Sequence, residues 1–246
     1  MGTVGKALDL LDLFTHGQPQ LGLSQLARAS GLNKATCHRL LTELESRGLL
    51  EQTGPAREYR LGPAVLRLSA LREAAVPTRE AAMPILRRLA EATGETAHLS
   101  HLVAGRLQTL AFAYASRQGV RVMMEDADFL PFHATASGAA VLAHLADPEP
   151  QIAVAPDCDT LRARIAETRV KGYAETLSTF EKDVHSLAVP LFDATGTCTG
   201  ALAVAAAAPR MTPDLHATIT STLIAAGAEI TALWGGQPLV RTGDPS

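Results

Sequence analysis

The stretch from Ser24 to Leu61 constrains the chain most, because it sets two short helices around a tight turn and follows them at once with a small hairpin. Ser24 is placed to cap a helix over SQLARAS, and Gly31 supplies the residue type that most readily closes a helix in the left-handed region. Asn33 then caps a longer helix, KATCHRLLTELESR, whose apolar side is Cys37, Leu40, Leu41 and Leu44 and which stops at Gly48. Upstream, Val4, Ala7, Leu8, Leu11 and Phe14 recur at helical spacing, so a first helix precedes this pair. Downstream, LLEQ and EYRL read as two strands joined by TGPAR. Three helices and a hairpin within about sixty residues form the order of a winged helix-turn-helix.

The polar side of the second helix of the pair carries Lys34, Ala35, His38 and Thr42, with Arg39 beside it and Thr36 in its first turn, where it could hold a phosphate. Lys and Arg can read guanine acceptors in a major groove, and small methyl-bearing side chains can touch thymine. Solvation alone explains an isolated polar face of this kind; the adjoining hairpin favours nucleic acid. Arg57 and Arg60 on the hairpin are expected to meet phosphate or the minor groove, and Ser24 to stand beside the DNA-facing helix. Charge is divided in the same sense. Residues 1–75 hold nine Lys and Arg against seven Asp and Glu, whereas the remainder holds thirteen against eighteen. Pro63 opens a further helix, PAVLRLSALREA, which Pro77 closes, and it reads as a linker.

At 246 residues the chain has room for two domains. Alternating or apolar runs at Thr96–Val103 and Leu107–Ala115, joined at Gly105, read as a hairpin, and Ser186–Phe192 with Cys198–Ala207 as another. Helical patterns at Ser137–Ala146, Asp159–Lys171 and Pro213–Leu233 make the second half mixed α/β. The expected layout is a DNA-binding module over 1–62, a linker helix over 63–77, an α/β domain over 78–236 and a disordered tail over 237–246. No apolar run is long enough to span a bilayer, so a cytoplasmic protein with no membrane partner is expected. The cysteines Cys37, Cys158 and Cys198 form no CxxC pair and are odd in number, which points to buried reduced thiols rather than disulfides or zinc. Cys37 sits on the core side of its helix, which argues against a redox role.

Several blocks, taken in order, resemble the IclR-type transcriptional regulators. They are GLNKATCHRLLTELESRGLLEQ with EYRLGPAVLRL, PILRRLAEATGETAHLS, LPFHATASGAAVLAHL, VKGYAET, SLAVPLFDATG and GALAVAAAAPRMT. The resemblance runs from about Val4 to Leu233. It implies a GAF-like effector domain with a curved antiparallel sheet, a ligand pocket on one face, pairing through the DNA-binding module with frequent further assembly into tetramers, and control, as repressor or activator, of catabolic genes for aromatic acids, small organic acids or sugars. Three features depart from the family pattern, at four positions. Ala139 stands where a Lys usually follows ATASG, Asp183 where a Gly often falls, and Ala203 and Ala205 where the strand often carries serines.

A helix following HATASG would present backbone N–H groups and hydroxyls to an anion, so Thr135, Ala136 and Ser137 are the expected effector contacts. Ser186 is expected on the opposite wall, Leu110, Met123, Ala203 and Ala205 as apolar contacts, and Asp183 at the same pocket. The simpler reading of Thr135 and Ser137 is a helix cap. His98, His101, His133 and His144 read as satisfied polar contacts, because His98 and His101 lie three apart on one strand and face opposite sides. G-x-S-x-G, HExxH and dinucleotide or phosphate loops do not occur, so neither an enzyme nor a cofactor is expected. The expected protein is an effector-controlled regulator, a repressor rather than an activator. It would bind a near-palindromic operator as a homodimer or homotetramer, with the linker helix passing the ligand's effect to the DNA-binding pair. The alternative is a DNA-binding protein whose second domain only oligomerises.

Overall fold

A computed structural model describes residues 2–116, 121–124 and 129–238. The chain divides into two compact units between Pro77 and Thr78. The expected tail from 237 lies almost wholly outside the described residues.

The first unit contains α1 (Thr3–Leu11), α2 (Leu23–Ser30), α3 (Lys34–Ser46), β1 (Leu50–Thr53), β2 (Glu58–Leu61) and α4 (Pro63–Ala75). Gly31 closes α2 at φ +68°, and the Asn33 side chain accepts a bond from the Thr36 backbone N–H at 2.9 Å to start α3. Ser24 does not cap α2. Gly22 holds the cap position, its N–H donating to the Gln25 side chain at 2.8 Å, and Ser24 sits exposed in the first turn. The register of α1 also differs from expectation. Ala7, Leu10, Leu11 and Phe14 share one stripe toward the core, with Leu10 fully buried, while Val4 and Leu8 are 74% and 52% exposed. Two overlapping helical stripes exist in this segment, and packing selects the one that contains Leu10.

Leu26, Cys37, Leu40, Leu41, Leu44, Leu50 and Tyr59 complete the small core. Tyr59 is bonded through both its backbone groups to Leu21, so the wing has a third, single-residue edge. Gly62 fits where no side chain can. A Cβ there would lie 2.3 Å from the Gly48 carbonyl oxygen. Helix α4 buries none of its residues, and Leu66, Leu68 and Leu71 are 75%, 48% and 58% exposed.

The second unit begins with α5 (Thr78–Thr93), β3 (Thr96–Val103), β4 (Arg106–Ala113) and β5 (Phe129–Leu130). Next come α6 (Ala136–Leu142), α7 (Glu149–Ile152), α8 (Cys158–Lys171) and β6 (Ala174–Leu177). The unit ends with β7 (Val184–Phe192), β8 (Cys198–Ala207) and α9 (Pro213–Leu233). Six strands pair antiparallel in the order β5-β4-β3-β8-β7-β6, forming a curled sheet. Helices α5 and α9 cover one face over Leu86, Leu99, Leu187, Leu202, Leu223 and Ile230. Helices α6 and α8 cover the other over Leu107, Val141, Leu142, Leu161, Ala188 and Ala203. The β3–β4 hairpin turns on Ala104 and Gly105, both at positive φ, which matches the strand twist.

A bulge in β4 decides what the second face presents. Leu99 pairs with Ala111 but Ser100 with Thr109, which leaves Leu110 as the extra residue. One inserted residue inverts the alternation of a strand. Leu107 therefore packs under α6 and α8, whereas Leu110, Ala111 and Ala113 pack under α5 and α9.

Candidate DNA-reading surface and effector cleft

Lys34, Ala35, His38 and Arg39 are exposed along α3, while Cys37, Leu40, Leu41 and Leu44 are buried behind them. The helix thus offers a polar face without losing its grip on the core. Thr36 is half-buried, and its N–H is used by the Asn33 cap. Burial raises the Cys37 thiol above its ordinary value, so it stays protonated and unreactive at neutral pH. On the wing, Arg57 occupies the turn at φ +52° and donates from Nε to Gln52 at 3.1 Å. Arg60 is the register partner of Glu51, and its Nε donates to that carboxylate at 2.6 Å. Half of each side chain is open to solvent, so the pair is a weak one that phosphate can replace. Arg60 is nonetheless less available as a lone positive charge than its place in the sequence implied.

In the second unit a cleft of about 490 Å³, counted out to its open mouth, lies on the sheet face covered by α6. Five of the nine expected contacts line it, namely Thr135, Ala136, Ser137, Ser186 and Ala205. The other four do not. Leu110 is carried to the α5–α9 side by the bulge. Met123 points outward with 65% exposure, and its neighbours Val122 and Met124 face the cleft instead. Ala203 is fully buried one row deeper in the sheet, between Ala188 and His98. Asp183 is exposed at φ +59° in the turn entering β7, where it substitutes for a glycine by tolerating the left-handed region.

Strand register arranges the floor. Thr176, Ser186, Ala205 and Thr96 form one row across β6, β7, β8 and β3, with Ala188, Ala203 and His98 in the next. Sequence reasoning missed His98, Thr176, Thr179, Phe180, Glu181 and Val184, along with the apolar Leu130 and Ala134. Only His98 carried a readable signal, a histidine between Ala97 and Leu99 in a strand pattern. It is 6% exposed, its Nε2 lies 3.3 Å from Ser137 Oγ, and its Nδ1 has no partner among the described residues. Burial pulls the imidazole down to about 4, so the ring is neutral at physiological pH. His101 turns the other way, with its ring centroid 6.0 Å from that of Trp234.

The wall at α6 is built by bonds that use up its threonines. Thr135 caps the helix by accepting from the Gly138 N–H at 3.0 Å and donates its hydroxyl to the Pro131 carbonyl at 2.9 Å. Thr179 donates to the Ala134 carbonyl at 2.6 Å, and Arg164 to the His133 carbonyl at 3.0 Å. Both the capping and the cleft-lining readings of this segment therefore hold, with Thr135 as cap and Ser137 at the cleft. Glu181 is the only carboxylic side chain among the described lining residues, and no Lys or Arg is among them. Apart from Glu181, the cleft is apolar with neutral hydroxyl and imidazole groups. No group of three His, Cys, Asp or Glu side chains among the described residues could hold a metal. Cys158 is half-buried rather than buried, and all three cysteines are free thiols. No helix among the described residues is long and apolar enough to cross a membrane.

Comparison with known proteins matches both units to one family. Residues 3–54 match the IclR helix-turn-helix domain and residues 74–232 the bacterial transcriptional regulator IclR C-terminal domain. An IclR transcriptional regulator structure from Silicibacter sp. TM1040 is 49% identical, covers 99% of this chain and all of that one, and superposes with a TM-score of 0.92. The transcriptional repressor IclR of Escherichia coli is 26% identical over 94% of this chain and 89% of its own length. An IclR homologue from Microbacterium hydrocarbonoxydans, solved with 4-hydroxybenzoate, shares the fold at 22% identity and a TM-score of 0.73, over 94% of this chain and all of that one. With a winged helix-turn-helix, a curled antiparallel sheet beneath α6, and family matches over both units, the chain belongs to the IclR family of DNA-binding transcriptional regulators.

Proposed function

We propose that the protein is a cytoplasmic repressor whose affinity for a near-palindromic operator changes when a small organic or aromatic acid occupies the cleft beneath α6. The observation that carries this reading is the cleft itself, where hydroxyls of Ser137, Ser186 and Thr176 and the imidazole of His98 line a largely apolar space that also has Glu181 in its lining. Sites of that make-up fix the orientation of small ligands with a few polar groups. A carboxylate there takes its bonds from neutral donors, and the 4-hydroxybenzoate complex of the Microbacterium homologue supports an aromatic acid. The repressor reading is supported by the relationship to the E. coli repressor.

The exposed leucines of α4 and the exposed Val4 and Leu8 of α1 support assembly as a homodimer, or a tetramer built from it, since apolar surface of this extent is costly to leave in water. Two-fold pairing presents two copies of α3 to successive major grooves and makes the operator near-palindromic. Lys34, Ala35, His38 and Arg39 then reach base edges, while Ser24, Thr36, Arg57 and Arg60 hold the sugar-phosphate backbone.

The deciding experiment selects genomic fragments on the purified full-length protein near physiological salt and sequences what is retained, first alone and then with candidate acids added. Recovery of a shared near-palindrome that is released by one acid supports the whole reading; a coupling of about 1 to 3 kcal/mol would change the affinity roughly 5- to 150-fold. Retention of a palindrome that no acid affects would leave a regulator whose second unit only assembles it. Recovery of nothing above background would refute specific binding by the unliganded protein.

A further inference from the structure

Among the described residues lining the cleft, His98 alone has a fully buried side-chain polar atom with no hydrogen-bond partner. It comes from the middle of β3, is 94% buried, and lies opposite Ala203 on one side and Phe112 on the other, neither of which offers a side-chain hydrogen bond. Ser137 reaches Nε2 at 3.3 Å, and Nδ1 has no partner among the described residues. An unpaired ring nitrogen at this depth costs stability, and buried polar groups are almost always satisfied in the state that functions. A neutral imidazole carries one donor and one acceptor. If Ser137 donates to Nε2, then Nδ1 bears the hydrogen and lacks an acceptor. If Nε2 donates to Ser137, then Nδ1 is bare and lacks a donor. A hydroxyl group satisfies either tautomer, whereas a carboxylate or an ether satisfies only one.

We propose that His98 selects the effector by hydrogen bonding to a hydroxyl group, alcohol or phenol, on the ligand. The inference rests on the cleft being the effector site and narrows its ligand class to hydroxyl-bearing acids. Ala203 is part of the device. A serine at that position would stand directly across the β3–β8 pair from His98 and could supply the missing bond from within the protein, whereas alanine leaves it to the ligand. Ala205 and Ser186 in the neighbouring row leave space and one further hydroxyl beside it.

The test is calorimetric titration of the full-length protein with matched pairs, 4-hydroxybenzoate against benzoate and lactate against propionate. In the wild type the hydroxylated member of at least one pair should bind about 10-fold tighter or more, the worth of one neutral hydrogen bond inside a cavity. That ratio should fall to near one in His98→Leu, which removes the ring, and in Ala203→Ser, which satisfies it internally, and should persist in His98→Gln. A purely structural role would lower both affinities of a pair together and leave the ratio intact. Equal affinity for both members in the wild type, or a hydroxyl preference that survives in His98→Leu, overturns the inference while the effector reading stands. Failure of all four acids to bind the wild type overturns the acid-effector reading of the cleft and this inference with it.

Discussion

Replacing Gly138 with alanine sets two effects of opposite sign against each other. Gly138 lies in the first turn of α6, where alanine should stabilise a helix by about 1 kcal/mol through propensity alone. A Cβ at this position, however, would lie 2.3 Å from the Phe132 carbonyl oxygen, 2.4 Å from its Cα and 2.7 Å from its carbonyl carbon. All three are main-chain atoms, so no rotamer change relieves the contact, and the turn before α6 must move by about an ångström to restore ordinary contact. That turn is pinned by Thr135 to Pro131, Thr179 to Ala134 and Arg164 to His133, so movement strains three hydrogen bonds that contribute about 1 kcal/mol each. Overpacking of 1 to 3 kcal/mol plus part of that strain outweighs propensity and leaves a net loss of about 2 to 4 kcal/mol. In a unit of this size the melting point should fall by roughly 5 to 15 °C. The single tryptophan, Trp234, closes α9 and reports on this unit alone, so fluorescence-detected urea and thermal unfolding isolates the effect. An unchanged or raised midpoint would refute the steric reasoning and show that the turn yields freely.

Three further predictions concern other parts of the molecule. Lys34→Ala should weaken operator binding and reduce the slope of log affinity against log salt by about one, and an unchanged slope and affinity would remove Lys34 from the interface. Leu66→Glu, at a position 75% exposed and in contact with no core, should leave the helical circular dichroism intact while shifting the protein toward monomer in sedimentation; unaltered assembly would exclude α4 from the subunit contact. Stability should also depend on pH through His98. Its folded value near 4 lies below the usual 6.5, so its contribution is complete above about pH 6.5 and is lost as pH falls toward 4, because only the unfolded chain takes up the proton. The loss is at most roughly 3 kcal/mol, and His98→Leu should flatten the acid limb of a urea-midpoint profile; parallel profiles would contradict it.

The first unit was largely legible from residues close together in the chain. Asn33 and Gly31 act through bonds to their own helices, and the leucine spacing of α3 reads its buried face directly. The hairpin, the linker helix and the ends of α9 were equally local. Where two local solutions competed, as with Ser24 against Gly22 for the cap or two apolar stripes on α1, sequence spacing had no way to choose between them.

The cleft depended on contacts made far apart in sequence. Its α6 wall could be anticipated, because the Thr135 cap and the helix it starts are local. Its floor could not, because a face of a sheet is set by register. The single extra residue at Leu110 moves half of β4 to the other side, and pairing of β3 with β8 puts Ala203, not a hydroxyl, opposite His98. In sequence, His98 is one of several polar residues in the run TAHLSHLV, and nothing local tells whether its contacts are satisfied. Its missing partner exists only once six strands have closed around it, since the energy of an unmade hydrogen bond depends on what surrounds the atom and not on what precedes it in the chain.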